Sequence, residues 1–367
     1  MRAVVASRRS GYTRGMTASS PEAPRRRLHR SAQVEDAFNR VVSRLLRRHG
    51  WRPRVLAYCG YGTNQWVRVL ARVLLAPPRS RPRDLKTMRG WRRFLAITAP
   101  GVEVVIEVGT RRHVVSTARG GYIDVVLPAE LAPGWAHVKL SVEGTAPSAA
   151  PVRIIGDHAQ IGVISDIDDT IMITALPRPF VALWNTFGRH EAARRPVPGM
   201  AELYQAIAAD IPDSLVVYVS TGPWNVAPAI DSFLSRHGYQ PAPLLLTDWG
   251  PTPDAWFRSG REHKRAELKR LIAELPQVSW ILVGDDGQHD PELYCEVADA
   301  APDRVRAIAV RELSITEQIR THGLAGTPTS KSEQPVSSPM VVEVRGANGF
   351  ALLQALRARG MLPSRCG

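Results

Sequence analysis

The chain has 367 residues, of which 44% are apolar and 22% charged, a balance that suits a soluble globular protein of two domains with ample core. It holds no run of about 18 uncharged apolar residues, which argues against a spanning helix; the best candidate, 67–77, is short and contains Arg68 and Arg72. The net charge of +14 is uneven, because residues 1–54 hold 14 Arg against Glu22, Glu35 and Asp36, a local +11, so the basicity belongs to the N-terminal segment and not to a whole binding face.

The N-terminus lacks a secretory apolar core: Arg8-Arg9 is followed by Ser10, Gly11, Tyr12 and Thr13 instead of a hydrophobic segment. Cys59, Cys295 and Cys366 are odd in number and have no metal-like spacing. Together these features predict a reducing, cytoplasmic setting, and they argue against zinc or a disulfide framework.

Residues 1–32 are rich in Arg, Ser, Pro and Gly and read as a disordered basic segment. Over 33–50, Val34, Phe38, Val41, Val42, Leu45 and Leu46 fall at helical spacing beside Arg40, Arg44, Arg47 and Arg48. That pattern fits a basic amphipathic helix on an anionic membrane, or equally a helix that packs its stripe on the protein and solvates its arginines. Residues 51–150 read as a small β domain, an antiparallel sandwich or barrel, with strands at 102–108, 122–127 and 136–142 separated by Gly and Pro turns. No catalytic constellation is visible in it.

From 151 to 317 strand-like runs at 161–165, 214–219, 243–247, 279–284 and 304–310 alternate with helical stretches at 199–209, 223–237 and from about Arg261. This rhythm predicts an α/β domain with a parallel sheet covered on both faces. Residues 318–367 read as a tail: a linker over 326–339, then an apolar segment over 340–362 to which the pattern assigns no role.

The chemistry gathers at the carboxyl ends of the predicted parallel strands. Ile161 to Ser165 is a short apolar strand, and Asp166-Ile167-Asp168-Asp169-Thr170 follows it. Strand alternation turns Asp166 and Asp168 the same way and Ile167 into the core. Open α/β sheets bind ligands at this edge. Of two carboxylates there, one can attack as a nucleophile and the other can move protons, with a hard cation such as Mg²⁺ joining them. The strand over 215–219 ends in Ser220-Thr221, hydroxyls able to bond a phosphoryl oxygen or to cap the next helix. Lys264, near a helix start, can neutralise phosphoryl charge or simply face solvent. The strand over 280–283 runs into Gly284-Asp285-Asp286-Gly287-Gln288-His289-Asp290, which suits Mg²⁺ or an acidic helix-capping turn.

In this order the motifs resemble the haloacid dehalogenase superfamily of phosphohydrolases. More narrowly, 165–171, 218–225, His263-Lys264 and 284–292 resemble the actin-patch-associated phosphatidate phosphatase family, and Gly60-Tyr61-Gly62-Thr63 with the β-rich region after it is similar to the segment before that family's catalytic domain. The resemblance covers roughly 50–312. It implies a haloacid-dehalogenase-like Rossmannoid parallel sheet with a minimal cap, preceded by a small β-sandwich or barrel. It implies Asp166 as nucleophile, giving an aspartyl-phosphate, and Asp168 as the acid that protonates the leaving alkoxide and then deprotonates water. Mg²⁺ would be held by Asp166, Asp285 and the main-chain carbonyl of Asp168. Ser220 and Lys264 would orient the phosphoryl oxygens, Thr170 would shape the turn, and Asp290 would support the metal or Lys264. Thr221, Gly222 and Arg258 are the candidate substrate contacts. The chain departs from the family pattern at Asp286, where a small hydroxylated residue is usual, at Gly222, often Ser, and at Cys59, often Arg.

Only about 50 residues separate Thr170 from Ser220, room for a flap but no lid domain, and an open site suits a bulky or membrane-embedded phosphate. Phe180, Trp184 and Phe187 on the flap, like Trp249, Trp256 and Phe257, can meet acyl chains or form flap core, and Arg258 and Arg261 can meet an anionic headgroup. The expected reaction is Mg²⁺-dependent hydrolysis of phosphatidate to diacylglycerol and phosphate by a cytoplasmic enzyme attached peripherally at an anionic membrane surface. A soluble phosphomonoester or phosphoprotein is the alternative substrate on the same fold. A non-catalytic adaptor, or a nucleic-acid binder using the Arg-rich tail, is the contrasting class; the tail lacks interleaved aromatics, so no nucleic-acid partner is expected. The sequence sets no oligomeric state.

Overall fold

The computed structural model describes residues 41–77, 97–158, 160–173, 195–211, 213–247, 253–287, 290–322 and 341–362. The basic segment 1–32, most of the predicted amphipathic helix, the flap aromatics Phe180, Trp184 and Phe187, Trp249, and the linker over 326–339 lie outside them. Of the predicted 33–50 helix, a helix α1 over 41–48 is described; it buries Ser43 and leaves Val41 and Leu45 exposed.

Eight strands form the first sheet: β1 (Arg52–Ala57), β2 (Gly60–Thr63), β3 (Trp66–Ala76), β4 (Glu103–Val108), β5 (Arg111–Ser116), β6 (Tyr122–Pro128), β7 (Gly134–Ser141) and β8 (Ser148–Ile155). They run in the order β1-β3-β2-β8-β7-β4-β5, with β6 on the free side of β3. The pairing is antiparallel except between β2 and β8, a departure from the antiparallel sheet expected. The parallel pair arises because β2 is inserted between β3 and β8. It comes very close to β3 there: a Cβ at Gly60 would lie 2.3 Å from the Arg68 carbonyl oxygen, so only glycine fits. β8 runs to Ile155, which carries this unit past the boundary expected at 150.

The long strand β3 has two faces of different character. Val67, Val69, Ala71, Val73 and Leu75 enter the core of the β unit, whereas Leu70 packs into the core of the second unit. Arg68 and Arg72 share the face of Leu70 by the two-residue period, and both are buried.

The second sheet is six-stranded and wholly parallel, in the order β13-β12-β9-β14-β15-β16. Its strands are β9 (Gln160–Ser165), β12 (Leu215–Pro223), β13 (Leu244–Thr247), β14 (Val278–Asp285), β15 (Val305–Arg311) and β16 (Val342–Gly346). A two-residue pair, β10 (Met172–Ile173) with β11 (Arg195–Pro196), closes the base of the predicted flap. The helices are α2 (Met200–Asp210), α3 (Ala227–Arg236), α4 (Pro253–Glu274), α5 (Asp290–Ala300), α6 (Ile315–His322) and α7 (Gly349–Ala358). Winding proceeds outward from β9 through β12 to β13, then returns across β9 to β14. The direction in which strands are added therefore reverses between β9 and β14, while all strands stay parallel, which opens a crevice at their carboxyl ends.

Two features differ from the sequence expectation. Helix α4 begins at Pro253 rather than near Arg261. The segment over 341–362 is not a tail: β16 pairs with β15 and α7 packs against α2. A Cβ on Gly349 would lie 2.2 Å from the Gly199 carbonyl oxygen, so α7 meets the start of α2 backbone to backbone.

Candidate active site

Each strand that borders the crevice contributes a polar group at its carboxyl end. Asp166 follows β9, and its backbone N–H donates to Val283 O of β14 at 2.9 Å, tying the two strands together where they diverge. Beyond it the chain turns sharply: Asp169 adopts a left-handed φ of 57°, and Ile171 N returns to Ile167 O at 3.0 Å. Aspartate tolerates that region better than most side chains. Ile167 is fully buried, as alternation predicts, while Asp168 is half-buried.

Asp166, Asp285 and Asp290 bring one carboxylate oxygen each within 4.8 Å of one another, all three buried. Lys264, 5% exposed, reaches them from α4, its Nζ 2.7 Å from Asp166 Oδ1 and 2.7 Å from Asp290 Oδ1. Thr170 Oγ1 donates within 3.4 Å of Asp166 Oδ2 and 3.5 Å of Asp285 Oδ2. The Gly287 N–H holds Asp285 Oδ1 at 2.8 Å. Burial pushes the Asp166 carboxyl up to about 8 against the pull of Lys264. Asp285 is also raised well above the carboxylate range, by burial first and then by repulsion from Asp290 and Asp166. Burial alone would lower Lys264, but the carboxylates of Asp166 and Asp290 hold it above its ordinary value, so it stays charged.

The remaining predicted residues fall into two groups. Ser220 Oγ lies 3.2 Å from Asp168 Oδ2 and accepts from the Gly222 N–H at 3.0 Å, so Ser220, Asp168 and Gly222 are brought together. The Thr221 carbonyl accepts from Thr247 Oγ1 at 2.9 Å. Asp286, by contrast, turns to the neighbouring strand end, where its Oδ1 accepts from Leu313 N at 2.8 Å; the three-carboxylate cluster does not include it. Arg258 sits in the first turns of α4, and its side chain, like those of Trp256 and Phe257, lies outside the described residues. Arg261 pairs with Glu292 at 3.5 Å. His263 is kept neutral at ordinary pH because burial lowers its pKa to about 4.

Arg311 is a site residue that sequence reasoning missed. Its Nη1 donates to Asp169 O at 2.5 Å and its Nη2 to Glu317 Oε1 at 2.6 Å, so it braces the turn after Asp166 from behind. The available signal was an arginine directly after the apolar run over 304–310.

Fully ionised, the three buried carboxylates and one ammonium would carry a net negative charge of two, an unfavourable balance in a dry site that proton uptake or a bound cation relieves. Asp290 Oδ2 is buried and has no hydrogen-bond partner among the described residues. The donor set is all oxygen, the kind that hard divalent cations take.

The arrangement defines an acid-lined crevice at the switch point of a doubly wound sheet. Residues 161–312 match the family described as "Phosphatidate phosphatase APP1, catalytic domain". The chain is 24% identical to phosphatidate phosphatase APP1 of Saccharomyces cerevisiae over 232 residues, 59% of this chain and 39% of that protein. It is 23% identical to an uncharacterised protein of Schizosaccharomyces pombe over 43% of this chain and 26% of that one. The chain thus spans well under half the length of either relative. A carbohydrate acetylesterase from Xanthomonas citri aligns over 71% of this chain and 68% of its own with a TM-score of 0.26, too low to bear on the fold. Among the described residues, no helix is long and apolar enough to cross a membrane.

Proposed function

We propose that this chain is a phosphatidate phosphatase on a haloacid-dehalogenase-like fold, working through an aspartyl-phosphate on Asp166. The observation that carries the reading is the meeting of Asp166, Lys264 and Asp285 with the Asp168–Ser220 pair at one crevice. A phosphomonoester dianion repels a carboxylate, so attack by Asp166 needs positive charge beside it, and Lys264 is placed to supply it.

Asp166 attacks phosphorus, forming the aspartyl-phosphate as the bond to the lipid oxygen breaks. Asp168 gives its proton to the departing alkoxide, producing diacylglycerol. In the second step Asp168 takes a proton from water, whose oxygen attacks phosphorus and releases phosphate and the Asp166 carboxylate. Ser220 orients Asp168 and faces the phosphoryl oxygens, while Lys264 neutralises them. The residues fit Mg²⁺: Asp166, Asp285 and Asp290 would hold it, with charge neutralisation at the phosphoryl group as its contribution. Asp290 here joins the carbonyl of Asp168 as a candidate ligand. At the other end of the chain α1 exposes Val41 and Leu45 among Arg44, Arg47 and Arg48, a surface suited to anionic lipid.

The test is phosphate release from phosphatidate in detergent micelles, with and without Mg²⁺, for wild type and Asp166→Asn. Magnesium-dependent release that disappears in the variant supports the whole reading. Cleavage of a soluble aryl phosphate through Asp166 with phosphatidate untouched would keep the chemistry and move the substrate to the soluble class. Hydrolysis of neither ester would sink the reading.

A further inference from the structure

The β unit reaches the chain that follows Ser220. Arg72 of β3, 6% exposed, donates from Nη1 to Asn225 Oδ1 at 2.6 Å. Its Nε donates to Gly120 O at 3.2 Å, and its guanidinium lies over the Tyr122 ring at 4.8 Å. Asn225 stands five residues beyond Ser220, two past the end of β12, whose register against β13 slips between Val219 and Pro223. Next to it Trp224 packs between Tyr58, with centroids 5.0 Å apart, and Tyr122 at 6.0 Å. On the other side the same segment is tied by Thr247 Oγ1 to the carbonyls of Thr221 and Gly222.

Packing alone does not account for an arginine here. Burying a guanidinium carries a desolvation cost that a leucine avoids, and Leu70 fills the same face of β3 two residues away. What the guanidinium adds is direction: a fixed fork that holds one donor on Asn225 and another on Gly120 while it sits over an aromatic ring.

We infer that Arg72 is a positioning residue, holding the Ser220–Asn225 turn from the β unit so that the Ser220 hydroxyl faces the phosphoryl group. The inference rests on the phosphatase reading only for what Ser220 touches; the hold on the turn stands apart from it. Arg72 thereby makes the β unit part of the active site's support rather than a neighbour of it.

The experiment is a double-mutant cycle on the full chain with a short-chain, water-soluble phosphatidate, paired with amide hydrogen exchange over 219–226. Arg72→Gln is expected to raise KM about tenfold with kcat changed less than about threefold, because lost ground-state positioning appears chiefly in KM. In a Ser220→Ala background the same change should cost less than about twofold, since the two residues act through one contact. Exchange over 219–226 should quicken in Arg72→Gln and in Asn225→Ala while 270–275 stays as in wild type. An Arg72→Gln effect that multiplies undiminished in the Ser220→Ala background, or unchanged exchange over 219–226, overturns the inference. Should Arg72→Gln fail to fold, Asn225→Ala carries both arms. Should wild type hydrolyse no phosphomonoester, the phosphatase reading fails, and the exchange result alone decides the role of Arg72.

Discussion

The ammonium of Lys264 lies 2.7 Å from Oδ1 of Asp166, with Asp290 at the same distance on its other side. One cation thus bridges the proposed nucleophile and the carboxylate with the free buried oxygen. The same contact sets positive charge beside Asp166 and restrains its carboxylate.

Replacing Lys264 with Met keeps the length and removes the charge. Three carboxylates then share a dry pocket, and breaking a buried pair by removing one partner typically costs about 3–5 kcal/mol. Urea denaturation in EDTA at pH 8 should show a loss of that order and a smaller one at pH 5, where the acids take up protons. Equal losses at the two pH values would mean that the pairing contributes little.

Asp166 and Asp285 both hold their protons to higher pH in the folded chain than an unfolded aspartate does, Asp166 to about 8. The folded state therefore binds more protons than the unfolded state from roughly pH 4 to 8, and stability falls as pH rises through that window. In EDTA the melting temperature should drop by about 5 °C or more between pH 6 and 8, about 2–4 °C corresponding to each kcal/mol for a unit of this size. On the proposed Mg²⁺ site the ion would take the ionised carboxylates, so added Mg²⁺ should abolish the drop and release protons on binding. A pH-independent melting temperature in EDTA would contradict the assigned shifts.

Gly162 lies at the centre of β9 beneath Trp280 of β14. An added Cβ would sit 2.5 Å from the Trp280 ring and 2.7 Å from Val278 Cγ1. Gly162→Ala should destabilise the chain by about 1–3 kcal/mol, the usual cost of overpacking, with kcat/KM of the surviving folded fraction near wild type. Calorimetry beside active-site titration separates the two effects.

Ending the chain after residue 340 removes β16 and α7. That bares the edge of β15 and the face of α2 that meets α7, so the shortened protein should aggregate or melt far below the full chain. A soluble, cooperatively folded product would show that the two elements are accessory.

The site was legible where chemistry and periodicity coincide. Asp166, Ser220 and Asp285 each follow an apolar run that needs no partner to be read as a strand, and the parallel rhythm places their ends on one edge. Other features depend on contacts far apart in sequence. β16 is a short strand of mixed character, recognisable only beside β15, about thirty residues earlier. Asp286 looks like a fellow of Asp285, yet its direction follows from the Leu313 N–H, which sequence alone does not place. The run over 67–77 reads in sequence only as one that fails to span a membrane; that Arg68 and Arg72 are buried follows from acceptors about 50 to 200 residues away, Asp124 and Glu274 for the first, Gly120 and Asn225 for the second.

The alternation along β3 has a consequence for how the chain avoids misfolding. A slip of one residue against β1 or β6 would turn Arg68 and Arg72 into the hydrocarbon interior of the β unit and Val67, Val69 and Val73 out toward Glu274 and Asn225. Two guanidiniums stranded without acceptors would make every such misaligned sheet far costlier than the aligned one. The two arginines therefore act as a proofreading mark on the first sheet, read both by Asp124 and Gly120 within the β unit and by Glu274 and Asn225 of the second unit.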